Sequence, residues 1–455
     1  MKKEALININ HGVRRTGILF FVVIFLLFEG ISPARSEILT LEEAIRYGLD
    51  ENRQAQNAAW EVDKTEDQIA AARTKRFPAL ELYVMESRLL KTLDFEFKKG
   101  VFGNNSVIGP IPAKDTTIDT EPRFTTYALA QLTQPLSQQY RIGLGIDYLK
   151  VSKDLTHEAL RISRHTVTNE IKHDYFGILG LQSTLKAARE TVSFYRELRR
   201  VVENFVRQGT ALEVDRMEVE ANLSRAEDEK RTLENAIRSR KENLNRLMGR
   251  DIETAFDVVS VPEPAPFEID GEEAVSKALM NRPELKETRL RVQQAEYGKR
   301  LKKAEYIPDL NLSLNYGRLH NVEVLPEETA SVGLVLTWEF FDWGRKRREL
   351  GEREHSILQT KNNLRETEAL ILSDIHFRLR KLEEGRSAVD TARLMKETSR
   401  ERLRITVNRY RDQAALLKDV LQDEASYRDE TRNFDKAVLD LWTARADLEK
   451  AMGED

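Results

Sequence analysis

Cysteine is absent from this 455-residue chain. Disulfide staples are therefore excluded, so the fold rests on packing alone. An acylated N-terminal cysteine, and with it a lipid anchor of that kind, is excluded too. Long apolar runs are almost as scarce. The one present is Ile18–Phe28, eleven residues, short of the ~20 that a helix needs to cross a bilayer. With charged residues at 33% and a mean hydropathy of −0.52, the chain is too polar for a bundle of membrane helices. An excess of basic charge is missing as well: 72 Lys and Arg stand against 76 Asp and Glu. No basic stripe marks the chain, which argues against nucleic acid as a partner.

Catalytic patterns are lacking too. Gly143-Leu144-Gly145 has neither the third glycine nor the strand context of a dinucleotide site. His157, His165 and His173 are spaced by eight, so each step turns ~80° around a helix and no face holds two ligands. They are read as solvated surface, like the charged helix faces in general. No nucleophile–histidine pair or metalloprotease motif is present, and no enzyme, metal or cofactor is implied.

The apolar run follows Lys2, Lys3, Arg14 and Arg15 and precedes Ala34-Arg35-Ser36. That order describes a secretory signal peptide over residues 1–36, cleaved after Ser36; an uncleaved anchor is the other reading. The mature chain then carries 67 basic and 74 acidic side chains.

The remainder repeats. Leu41-Glu42-Glu43-Ala44-Ile45 returns as Gly271-Glu272-Glu273-Ala274-Val275, and Asn52-Arg53 as Asn281-Arg282. Phe77-Pro78-Ala79-Leu80 returns as Ile307-Pro308-Asp309-Leu310, and Leu132-Thr133 as Leu336-Thr337. Val206-Arg207-Gln208-Gly209 with Asp215 answers Tyr410-Arg411-Asp412-Gln413 with Asp419. Five pairs in the same order define a first structural repeat, 37–260, and a second, 271–455. A proline-rich linker at 261–270 that no helix can cross separates them.

Each half reads as helix, strand, loop, strand, long helix, turn, helix. Leu310, Leu312, Leu314 and Tyr316 alternate with Asn311, Ser313 and Asn315; Val332, Leu334, Leu336, Trp338 and Phe340 form a second alternating set. Period two puts each set on one face of a sheet. At ~8–11 residues such runs suit tilted membrane strands and equally an ordinary half-buried sheet. Leu80, Leu82 and Val84 alternate in the first half, whereas Thr125–Thr133 is weakly patterned. The ~30-residue loop between those strands is longer than compact domains favour and common on the outer rim of membrane barrels.

The helices following the strands, about Ser137–Arg207 and Gly344–Tyr410, are ~100 Å long at 1.5 Å per residue. In each half the two flanking helices, from Leu41 to Arg76 and Leu212 to Met248, then Glu272 to Glu305 and Leu416 to Met452, sum to about that length. Val219, Leu223, Ala226, Leu233, Ile237, Leu244 and Leu247 fall on three- and four-residue steps. Leu417, Val420, Tyr427, Phe434, Val438, Leu441, Leu448 and Met452 do likewise, interrupted by Glu424, Thr431 and Arg445. Such a seam is coiled-coil packing, which antiparallel hairpins need whatever their function. Four membrane strands cannot close a barrel, since single-chain barrels start at eight, so copies would have to pool them.

The duplicated Leu41-Glu42-Glu43-Ala44 start, Phe77-Pro78 and Ile307-Pro308, Phe340-Phe341-Asp342-Trp343-Gly344-Arg345 and the two hairpin tips together resemble the TolC-like outer-membrane efflux protein family over about residues 38–452. The resemblance implies a mainly α-helical protomer with a small membrane β part. It implies a homotrimer with a twelve-stranded β-barrel and a long α-helical periplasmic tunnel in the Gram-negative outer membrane. Its partners would be outer-membrane lipid, a periplasmic adaptor (membrane fusion) protein and an inner-membrane transporter for efflux or type I secretion. It carries a periplasmic gate onto Asp215 and Tyr410, an acidic pore ring onto Asp419, and a second ring onto Asp423, with Gln422 at the ring position itself. A gate arginine is replaced by Ala415. Adaptor docking falls on Arg207, Gln208 and Gly209 and on Arg411, Asp412 and Gln413, with Gln413 in place of glycine pointing to a differently shaped second tip. Asp215 and Asp419 also suit plain helix capping. A structural coiled-coil or adhesin-like surface protein is the alternative for the whole chain.

Overall fold

The computed structural model describes residues 37–88, 90, 94–119, 124–260, 270–321 and 326–454. The leader read at 1–36, and the linker apart from residue 270, lie outside them. The described helices are α1 (Leu41–Glu51), α2 (Arg53–Thr74), α3 (Gln139–Arg207), α4 (Glu213–Leu247), α5 (Gly271–Asn281), α6 (Pro283–Ala304), α7 (Arg345–Arg411) and α8 (Leu417–Ala451). The strands are β1 (Glu37–Leu39), β2 (Ala79–Arg88), β3 (Asp94–Phe97), β4 (Asn104–Asn105), β5 (Gly109–Pro110), β6 (Thr116–Asp119), β7 (Phe124–Pro135), β8 (Phe256–Val258), β9 (Asp309–His320) and β10 (Glu328–Thr337). No described helix is long and apolar enough to cross a membrane.

The chain forms two compact units, each drawing segments from both halves. One holds residues up to Asn57, Arg161–Arg282 and Leu370 onward; the other holds Ala58–Leu160 and Pro283–Ala369.

In the first unit the helix expected from Leu41 to Arg76 breaks at Asn52. Thr40 opens α1 with a capping box: its hydroxyl accepts from the Glu43 amide at 3.2 Å, and its own amide donates to Glu43 Oε2 at 3.0 Å. Asn52 leaves helical geometry at ψ 125°, and its Oδ1 accepts from the amides of Gln54 (2.8 Å) and Ala55 (3.2 Å), starting α2. The second half breaks at Arg282, whose helical conformation Pro283 disfavours. Asn52 and Arg282 belong to one of the repeated sequence pairs, so the repeat marks a helix break in both halves.

Gly249 and Gly453 seat the C-termini of α4 and α8 on those breaks. Both hold positive φ, +73° each. A Cβ on Gly249 would stand 2.2 Å from the Glu51 carbonyl oxygen, and one on Gly453 2.9 Å from the Asn281 carbonyl carbon. Around the first contact, β1 and β8 pair in parallel over a core of Leu39, Ile171, Tyr175, Leu244 and Met248. The Tyr175 hydroxyl lies 3.0 Å from the Leu39 carbonyl and 2.9 Å from that of Val259, with a proton for either.

In the second unit four antiparallel strands lie in the order β10-β9-β7-β2. Ser137 ties the two halves together there: its hydroxyl donates to the Pro308 carbonyl at 2.6 Å and accepts from the Leu310 amide at 2.8 Å. Arg141 pairs with Asp309 at 3.0 Å. The long loop after β2 is not structureless. It carries the hairpins β3–β6 and β4–β5, so its length is local pairing. The weakly patterned Thr125–Thr133 run is the interior strand β7. Conversely β10 stops at Thr337, so Trp338 and Phe340 lie beyond the strand into which their alternation placed them.

Candidate functional site

The register of the four-stranded sheet sorts its residues into two faces. On one, Leu80, Leu132, Leu314 and Val332 stand in a row across β2, β7, β9 and β10. Leu82, Ala130, Tyr316 and Ala330 form the next. On the other face Glu81, Gln131, Asn315 and Ser331 share a row, beside one made of Ala79, Thr133, Ser313 and Gly333. The apolar side chains of the outer strands, Leu80, Leu82, Val332, Leu334 and Leu336, are more than half exposed. A soluble half-buried sheet covers that face instead. The strands are 10 to 12 residues long, the length of a tilted membrane strand. Among the described residues β2 and β10 each pair on one side only, leaving a row of backbone donors and acceptors at each edge.

The tips belong to the first unit, where α3, α4, α7 and α8 share a core of Val192, Leu198, Val202, Val219, Leu223, Tyr410, Leu417 and Val420. Both tips close with the same bonds. The Gly209 amide reaches the Val206 carbonyl at 3.0 Å and the Thr210 amide that of Phe205 at 2.9 Å; Gln413 reaches Tyr410 at 2.9 Å and Ala414 reaches Arg409 at 2.7 Å. This is the Schellman pattern. Gln413 takes φ +59° where Gly209 takes +71°, so the expectation of a differently shaped second tip is corrected. The bonding pattern imposes the left-handed turn, and glutamine bears a steric cost of about 1 kcal/mol for it. Arg207, Gln208, Gly209, Arg411, Asp412 and Gln413 are all exposed. Arg207 donates to Asn204 Oδ1 at 2.5 Å.

Asp215 and Asp419 each cap the helix they open. Asp215 Oδ2 accepts from the Leu212 amide at 2.9 Å, and Asp419 Oδ2 from that of Leu416 at 3.2 Å. Tyr410 is buried, its ring edge-on to Phe205 at 5.6 Å. Burial, and then the negative charge of Asp215, hold its phenol above the usual tyrosine range. Tyr410 and Asp215 are thus electrostatic neighbours across two hairpins. Asp423 accepts from the Thr406 hydroxyl at 2.6 Å and joins α8 to α7.

Sequence reasoning read the residues that interrupt the α8 seam only as exceptions to it and missed their partners. Glu424 and Thr431 sit at seam positions and are buried there. Glu424 Oε2 accepts from the Tyr195 hydroxyl at 2.5 Å and lies 3.5 Å from Arg428. Burial raises its carboxyl above the usual range. Asp435, likewise raised by burial, accepts from Ser183 at 3.0 Å. Glu424, Arg428, Thr431 and Asp435 line a cavity of about 150 Å³ between α3, α4, α7 and α8. Asp447 accepts from His173 Nε2 at 2.8 Å, Asn169 at 3.2 Å and Arg378. His165 is buried and His173 is engaged, so neither is the solvated side chain expected. For Glu424 the signal was present: a carboxylate breaking a 3,4 seam is a partnered buried charge as readily as a gap.

The chain thus joins a two-faced antiparallel sheet to paired long-helix hairpins, the make-up of a membrane-seated helical channel subunit. The family model described as outer membrane efflux protein matches residues 45–250 and 274–454, and the chain belongs to that family. It is an outer-membrane efflux channel subunit with a helical periplasmic part. Curated protein sequences contain no match. Among solved structures it is similar to the Campylobacter jejuni CmeC outer membrane channel, with 15% identity, TM-score 0.75, and 91% of this chain and 85% of that one covered. A membrane protein from Pseudomonas aeruginosa gives 17%, 0.76, 92% and 92%. The Vibrio cholerae outer membrane protein VceC gives 16%, 0.71, 91% and 96%. At these identities the likeness is one of fold. Family membership displaces the coiled-coil or adhesin alternative.

Proposed function

We propose that three copies of this chain pool their sheets, β10 of each pairing with β2 of the next, into a twelve-stranded barrel. That barrel continues into a helical tunnel built from the duplicated halves 37–260 and 271–455. The carrying observation is the pair of open edges on a sheet with an exposed apolar face. In hydrocarbon each unpaired backbone group costs several kcal/mol, and closure with further copies removes every edge. Three copies give the strand number that the family resemblance implies.

The tube is a passive exit duct of a tripartite efflux or type I secretion system. Its tips, with Leu212, Val214 and Leu416 exposed beside the turns, dock a periplasmic adaptor that links them to an inner-membrane transporter. Asp215 and Tyr410 hold the hairpins together as part of a gate, with Asp419 and Asp423 as pore acids. A leader at 1–36 directs export.

Cross-linking tests the pooling, and the lack of native cysteine makes it clean. Cysteines placed together in β2 and β10 of one chain are separated by β7 and β9, roughly 14 Å at strand spacing, too far for an internal disulfide. Oxidation in membranes should yield covalent dimers and trimers. Monomer alone, for every β2–β10 pair along the strands, contradicts the pooling.

A further inference from the structure

We infer that the helix-proximal rim of the sheet is a binding surface for anionic phospholipid headgroups, centred on Arg347 and Arg348 beside the aromatic turn Phe341–Trp343. The inference rests on the reading that the sheet crosses the membrane, and adds the lipid class and the residues that select it.

Where β10 ends, the chain does not bury its aromatic residues. Trp343 is 89% exposed and Phe341 and Phe340 are also exposed. Trp343 is held at φ +57°, a conformation disfavoured for any residue with a Cβ. Asp342 fixes the turn by accepting from the amides of Gly344 at 3.0 Å and Lys346 at 2.9 Å. The Trp343 ring meets Phe341 edge-on at 4.8 Å. A disfavoured backbone that presents an indole to its surroundings fits the headgroup level of a bilayer, where amphipathic rings collect.

The charges that follow point to an anion. Arg345-Lys346-Arg347-Arg348 forms the first turn of α7, which holds no acidic residue. Cations are unfavourable at that end of a helix dipole. Arg345 is satisfied by Glu339 (2.6 Å) and Glu349 (3.1 Å), and Lys346 by Glu339 (3.3 Å). Arg347 and Arg348 are exposed, and among the described residues no carboxylate pairs with either. Lys75 and Lys303, just before β2 and β9, are exposed at the same end of the sheet. A phosphodiester bearing net negative charge, at the boundary of an apolar face, complements the guanidinium groups. A free anion would answer the charges but leave the aromatic turn in water, so the occupant is a lipid.

The test is native mass spectrometry of the full mature protein in detergent, titrated with phosphatidylglycerol or with phosphatidylcholine of the same chains. The wild type should bind phosphatidylglycerol roughly tenfold more tightly. Arg347→Gln with Arg348→Gln should lower that binding by roughly tenfold, about threefold per charge, to the level of phosphatidylcholine, whose binding stays unchanged. Trp343→Gly, which accepts the same φ, should weaken both lipids alike and keep their ratio. Equal binding of the two lipids by the wild type overturns the inference. So does a preference surviving in the double variant, a preference abolished by millimolar inorganic phosphate, or loss of oligomer in the double variant, which would assign the arginines to a contact between copies. The same spectra count protein chains independently of lipid adducts, so failure of the pooled barrel is read separately from failure of the lipid site.

Discussion

The Tyr195 hydroxyl on α3 donates to the Glu424 carboxylate on α8 across 2.5 Å, in a site where Glu424 is 2% exposed. Burial holds this carboxyl above the ordinary range, so the folded state binds its proton more tightly than the unfolded chain does. The stability linked to it is fully present below the unfolded pKa and is lost as pH rises through the folded value. Wild-type protein should therefore gain thermal stability as pH falls through that window. Glu424→Gln keeps an acceptor for Tyr195 and carries no charge. It should raise the melting temperature at neutral pH and flatten that part of the pH profile, as followed by circular dichroism.

Asp447 carries the opposite sign. Burial opposes its charge, but the bonds from His173 and Asn169 and the Arg378 guanidinium outweigh it and hold the carboxyl below its usual value. The stability it contributes is present above the unfolded pKa and disappears as pH falls through the folded one. Asp447→Ala takes the acceptor from His173 and Asn169 and leaves Arg378 only Asp374, at 3.2 Å, and should cost about 2 kcal/mol, measured by chemical denaturation at neutral pH. The cost should shrink in acid.

Much of the fold was legible because two periodicities and five repeated pairs were. Leu310–Tyr316 named the β9 face, and six of the seven α4 seam residues are buried. β7 was hard to read because two of its residues on the apolar face, Ala128 and Ala130, are small. The breaks at Asn52 and Arg282 sat within pairs that read as mere repetition. The site was less legible still. Asp215, Asp419 and Tyr410 were placed by motif, yet Asp435 and Asp447 look in sequence like solvated helix charges, and only packing partners reveal them.

Gly249 offers a sharp test of the paired-break architecture. Gly249→Ala meets both a positive φ and the Glu51 carbonyl, and should cost about 2 kcal/mol or more. Gln413→Gly relieves a left-handed glutamine without touching a neighbour. It should be neutral or stabilising by up to about 1 kcal/mol. Equal losses in both variants would count against this assignment of strain.

For the proposed gate, Asp215→Ala removes the Leu212 cap, worth about 1 kcal/mol, and the charge that raises the Tyr410 phenol. Tyr410→Phe keeps the Phe205 contact and removes only the hydroxyl. Both should raise single-channel conductance in planar bilayers. Raised conductance in Asp215→Ala alone would assign the effect to capping, and no change in either would remove the pair from the gate.

The most direct measurement of the pooled barrel is the native mass of the mature protein extracted from membranes. The account predicts a trimer that requires detergent, because twelve strands close only when three apolar faces meet the lipid. A monomer or dimer that stays in solution without detergent would contradict it.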